Sequence, residues 1–165
     1  MPHYWNSAEM TNPDPARVVA DADVLAADLF VDGHARAALD MVRSHSWLTL
    51  VATPALLDET EHLIDTLADT ALAKAWRRNI DEQVTMVTPM VGGHPALVAA
   101  GAGKAATLLS LDPHLQSATA GATIRPNIAT SIKSPKAFVT MTDPASLYEA
   151  VVGGDYPGPD RDPRG

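Results

Sequence analysis

The chain has 165 residues, 46% of them hydrophobic, no cysteine, and a net charge of −8 in which fifteen Asp and five Glu face four Lys and eight Arg. That length fits one domain with a core that needs no disulfide or structural metal, and the lack of thiols excludes disulfide frameworks, thiolate zinc centres and cysteine nucleophiles. The acidic balance opposes indiscriminate binding of polyanions, but a local basic patch is enough to grip phosphates.

The ends carry no apolar periodicity. Residues 1–16 and 153–165 are expected to be disordered extensions around a domain spanning 17–152. No apolar run approaches the roughly 20 residues that span a bilayer, and the N-terminus lacks the basic-then-apolar order of a leader, so a cytoplasmic protein is expected.

Inside the domain, short apolar runs alternate with longer amphipathic ones, the order of a mostly parallel sheet with crossover helices. Arg17-Val18-Val19-Ala20 reads as the first strand, running into Asp21 and Asp23 and then a short helix over Val24 to Phe30. Asp32-Gly33 makes a turn ahead of a helix from His34 to Arg43, with Ala35, Ala38, Leu39 and Val42 on one face. Trp47 to Ala52 is the next strand. Thr53-Pro54 then starts a helix whose stripe is Leu56, Leu57, Leu63, Ile64 and Leu67, because Thr can cap and Pro at the first helical position gives up an N–H that has no partner there.

A further helix is expected over Thr70 to Gln83, and Val84 to Pro89 is extended. After Gly92-Gly93 come a helix from His94 to Gly101, a strand from Thr107 to Leu111, and a short helix over Pro113 to Thr119. A last strand is expected over Ile124 to Ala129, before a helix start at Ser134-Pro135.

Two of these strands end in acids, Asp21 and Asp112. In open α/β sheets ligands gather at the carboxyl ends of parallel strands, and carboxylate oxygens suit a hard cation such as Mg²⁺ or Mn²⁺. Taken singly, each Asp is equally an ordinary turn or cap residue.

The run Val18-Val19-Ala20-Asp21-Ala22-Asp23-Val24-Leu25 resembles the opening of PIN-domain nucleases, a strand followed by Asp-Thr-Asn-Val-Leu or a near variant. Thr53-Pro54-Ala55-Leu56-Leu57-Asp58-Glu59 is similar to that family's second motif, with Glu59 as its acid. The stretch from His94 through Leu108-Leu109-Ser110-Leu111-Asp112 keeps the third motif's spacing, with His94 where the family usually opens on an acid. Ser134-Pro135-Lys136-Ala137-Phe138 resembles the Thr-Pro-x-x-Phe that follows the last strand.

The resemblance implies a three-layer α/β/α fold and a metal-dependent endoribonuclease, with Asp21, Glu59 and Asp112 as catalytic and metal-binding residues and His94 as a fourth ligand position. Mg²⁺ or Mn²⁺ would activate a water for attack on an RNA phosphodiester. It also implies RNA as substrate, an antitoxin or other protein partner as in toxin–antitoxin pairs, and a homodimer. His94 in place of an acid removes one negative charge from the cluster, so a catalytically degenerate module that binds RNA or protein is the alternative.

Neighbouring candidates carry plainer explanations. Glu61 competes with Glu59 because both flank the apolar stripe of their helix. Asp23 reads as a helix cap more readily than as a ligand, and Ser110 needs no role. Gly101-Ala102-Gly103-Lys104 is a helix-to-strand turn, since a phosphate loop would need Gly at 98 and Ser or Thr at 105, where Val98 and Ala105 stand. A response-regulator-like domain, with Lys133 or Lys136 after its last strand, is a third possibility. Arg36, Arg43, Lys74, Arg77 and Arg78 are the basic side chains available for RNA phosphates, or are simply solvated helix faces.

Overall fold

A computed structural model describes residues 13–89, 92–116 and 130–163. Val18, Val19 and Ala20 are buried in succession instead of alternating, the signature of a strand covered on both faces. They belong to β1 (Asp14–Ala20), the centre of a five-stranded sheet in the order β3-β2-β1-β4-β5, where β2 is Thr49–Ala52, β3 Val84–Met86, β4 Ala105–Leu109 and β5 Ser131–Lys133. Every pairing is parallel. The chain winds outward from β1 to β2 and β3, then crosses back to β4 on the other side of β1.

Eight helices occur among the described residues: α1 (Ala22–Phe30), α2 (His34–Arg43), α3 (Pro54–Leu67), α4 (Thr70–Gln83), α5 (Pro95–Ala102), α6 (Pro113–Gln116), α7 (Pro135–Met141) and α8 (Pro144–Val151). α5 lies across β1, β2 and β4, while α2 covers β2 and packs on α7. Right-handed crossovers put these two groups on opposite faces. The architecture is the expected three-layer α/β/α with a parallel sheet. The strand order also sets aside the response-regulator possibility, which requires the order 2-1-3-4-5.

The helix starts follow from local chemistry. Thr53, His94 and Ser134 each precede a proline and accept a hydrogen bond from the backbone of their own helix, at Leu56, Ala96 and Ala137 respectively. Ala35, Ala38, Leu39 and Val42 are the buried face of α2, as its periodicity requires. In α3 the buried set is Leu56, Leu57, Thr60 and Ile64, whereas Leu67, the last residue of the helix, is exposed.

The turn from α5 into β4 has its own steric logic. A side chain at Gly103 would overlap Cγ1 of Val51 on β2, so a residue without Cβ lets this helix end sit against the sheet. Lys104 takes φ +52°, and Arg17 Nε donates to Gly103 O at 2.6 Å, tying the turn to β1. The glycines therefore serve a turn.

Several boundaries differ from the sequence expectations. β1 begins at Asp14, three residues ahead of the expected Arg17 and inside the segment expected to be disordered, and the strand expected from Trp47 begins at Thr49. β4 begins and ends two residues earlier than expected. The strand expected over 124–129 lies outside the described residues, and the strand beside β4 is instead β5, immediately ahead of Ser134-Pro135. Beyond α8, residues 153–163 run back over α2 and the turn that follows it. Tyr156 O–H meets His45 Nε2 at 2.6 Å, Asp160 accepts from Ser46 N and Oγ, and Arg161 Nη2 donates to His45 O at 2.9 Å. This stretch is held by side chains whose partners lie more than a hundred residues away, which no local pattern reveals. No helix among the described residues is long and apolar enough to cross a membrane.

Candidate functional site

The winding of the chain reverses between β1 and β4, and the carboxyl end of that strand pair is where an open α/β sheet leaves a crevice. Asp21 is the first residue past β1 and Ser110 the first past β4. Asp21 N donates to Leu109 O at 2.8 Å, holding the two strand ends together.

Asp21 is buried and both its carboxylate oxygens are engaged. Oδ1 accepts from Ala22 N at 2.8 Å, so Asp21 caps α1, and Oδ2 accepts from Ser110 Oγ at 3.0 Å. Ser110, fully buried, also accepts at Oγ from Asp112 N at 3.1 Å, and its own N donates to Lys133 O at 3.0 Å. One hydroxyl thus links the acid after β1 to the backbone of the acid after β4. Gln116 Nε2 donates to Ser110 O at 2.8 Å and braces the same turn. Asp112 Oδ1 accepts from His114 N at 2.9 Å.

Asp23 is the departure from expectation. The cap of α1 is Asp21, and Asp23 sits in the first turn with its carboxylate turned toward Leu111 N, at 3.3 and 3.4 Å. Its carboxyl is pushed up to about 6, first by burial and then by the negative charge of Asp21 and, more weakly, of Asp112, against the lowering effect of hydrogen bonds from Leu111 and Val24. Asp21, Asp23 and Asp112 thus share one electrostatic neighbourhood. Carboxylate oxygens are the donor type that suits Mg²⁺ or Mn²⁺.

The other expected ligands stand apart. Glu59 is exposed on α3, whose start follows the carboxyl end of β2, and it makes no hydrogen bond or ion pair among the described residues. Glu61 is occupied, 3.2 Å from Arg77 Nη1, in a fan that also takes Asp58 at 2.7 Å and Asp81 at 3.0 Å and ties α3 to α4. His94 is exposed and its Nδ1 accepts from Ala96 N at 3.2 Å, which makes it the cap of α5. Among the described residues no three of His, Asp and Glu stand close enough to hold one ion in the present rotamers. The four-residue set Asp21, Glu59, His94 and Asp112 is therefore distributed along the carboxyl edge, and Asp23 joins two of its members instead.

Most of the basic residues singled out in the sequence are committed elsewhere. Arg36 donates to Asp28 O and Leu29 O at the end of α1, and Arg43 pairs with Asp28 and Asp40. Arg77 holds the α3–α4 fan.

The model of a family of unknown function, DUF7384, matches residues 12–164, and the chain belongs to that family. No curated protein and no solved structure matches it. The match takes in residues 153–163, in keeping with their packing on the domain.

Proposed function

We propose that this member of a family of unknown function is a metal-dependent endoribonuclease of the PIN type. The observation that carries the proposal is the coupling of Asp21, Asp23 and Asp112 at the β1–β4 crevice, expressed in the raised pKa of Asp23. One carboxyl with a raised pKa beside two further acids at a switch point is a marker of a functional site and supports phosphoryl chemistry with a divalent ion. The parallel three-layer sheet and the order of motifs from residue 17 to 139 support the same assignment.

In this reading Asp21, Asp23 and Asp112 hold Mg²⁺ or Mn²⁺, and Glu59 approaches from α3 when RNA is bound. The ion, when bound, polarises a phosphate and acidifies a water. Ser110 fixes the Asp21 carboxylate, while Asp23 and Asp112 offer further oxygens. Expected is Mn²⁺-dependent cleavage of single-stranded RNA that Asp21→Asn abolishes. Cleavage that survives either Asp21→Asn or chelation overturns the assignment.

A second reading, a PIN-like module that binds RNA or a protein partner without cutting, is favoured by one observation: His94, at the position of an acid, is occupied in capping α5. His94→Asp separates the two, because Asp caps as well as His. Activity that appears only in His94→Asp identifies the natural chain as degenerate.

A further inference from the structure

We propose that Lys133 and Lys136 form the phosphate-holding side of this site, binding the backbone of single-stranded RNA beside the Asp21–Asp23–Asp112 edge. The inference rests on the nuclease assignment for its substrate class. A carboxylate edge on a chain of net charge −8 repels RNA, so retention of the strand needs cations placed locally. Among the described residues Arg17, Arg36, Arg43, Arg77 and Arg161 all spend their guanidinium groups on carbonyls or carboxylates of the domain itself. The remaining described cations are Lys74, Arg78, Lys104, Lys133 and Lys136, whose side chains make no hydrogen bond or ion pair among the described residues.

Their places in the fold are unequal. Lys104 lies at the amino end of β4, the edge opposite the aspartates, and Lys74 and Arg78 lie on α4, which delivers the chain to the amino end of β3. Lys133 is the last residue of β5, and its carbonyl accepts from Ser110 N, so its backbone is one strand spacing, about 4.8 Å, from the turn that carries Ser110 and Asp112. Lys136 follows in the first turn of α7. The Lys133 side chain makes no hydrogen bond or ion pair among the described residues, so its ammonium is open to a phosphate. Along the carboxyl edge the order is therefore Asp21 and Asp23, then Ser110 and Asp112, then the two lysines.

The test is fluorescence anisotropy of a labelled single-stranded RNA with the Asp21→Asn chain in Mn²⁺, repeated over a range of salt concentrations. Replacing both Lys133 and Lys136 by Gln is expected to weaken binding and to flatten the dependence of log K on log salt by about 1.4, at ~0.7 per phosphate contact. Lys133→Arg with Lys136→Arg should restore it, and Lys74→Gln with Arg78→Gln should leave it unchanged. Equal slopes for the Gln pair and its parent, equal losses in the α4 pair, or no RNA binding by the parent overturn the inference. Lysine-dependent binding without cleavage by the natural chain refutes the nuclease assignment alone. Cleavage whose KM is indifferent to the lysines refutes the phosphate-holding role alone.

Discussion

Ser110 Oγ donates to Asp21 Oδ2 at 3.0 Å and accepts from Asp112 N at 3.1 Å, so one buried hydroxyl joins the ends of β1 and β4 at the point where the winding of the sheet reverses. The link fixes a carboxylate that has little freedom left. It also sets a structural cost for disturbing the site.

Ser110→Ala leaves the buried Asp21 Oδ2 and the part-buried Asp112 N without their partner. The expected loss is about 1–3 kcal/mol. In urea this reads as a lower midpoint at an unchanged slope. An unaltered midpoint means the hydroxyl is not holding the two strand ends.

Asp23 gives the pH dependence. Its folded-state carboxyl is raised from 3.8 to about 6, so between these values the folded chain binds more protons than the unfolded one, and stability falls as pH rises through that window. Asp23→Asn removes the penalty. In chelator, the variant should match the natural chain below the window and melt higher above pH 6, by on the order of 1 kcal/mol once solvent screening is allowed for. A variant less stable than its parent above pH 6 contradicts the crowding of the three acids.

Gly103→Ala forces a Cβ into Val51, with an expected cost of about 1–3 kcal/mol. Val51→Ala opens the space. The double variant should therefore be more stable than the sum of the two single losses predicts, and strict additivity in thermal or urea unfolding contradicts the close approach of the α5 end to β2.

The stretch after α8 is part of the domain. His45 Nδ1 lies 2.6 Å from Met41 O, a carbonyl that can only accept, so Nδ1 carries a proton, and in the neutral ring Nε2 accepts from Tyr156 O–H. Tyr156→Phe should cost about 1 kcal/mol. Truncation after Val152 should cost more, since it also removes the Asp160 and Arg161 contacts. Equal melting of the truncated and full chains contradicts this packing.

Much of the frame was legible because its causes are local. The four apolar residues of α2 recur at helical spacing, and Pro54, Pro95 and Pro135 each follow a residue able to cap. Asp143-Pro144 carries the same signal for α8, where Asp143 accepts from Ala145 N at 3.3 Å, and the helix was not anticipated. β5 is three residues at a sheet edge, too short for a period-two pattern to show. The site was legible only as strand-end acids. That Asp23 faces Leu111 N depends on a meeting of residues 88 apart in sequence, which spacing within a motif does not encode, whereas the cap Asp21 puts on α1 is a local contact with Ala22 N. The same holds for Tyr156 and His45.

The most direct measurement is a calorimetric Mn²⁺ titration of the natural chain beside Asp21→Asn and Asp23→Asn. Saturable binding by the natural chain, abolished in Asp21→Asn and weakened in Asp23→Asn, is the predicted result. Equal binding isotherms for all three chains, or no heat of binding in any, would contradict a metal site at the β1–β4 crevice.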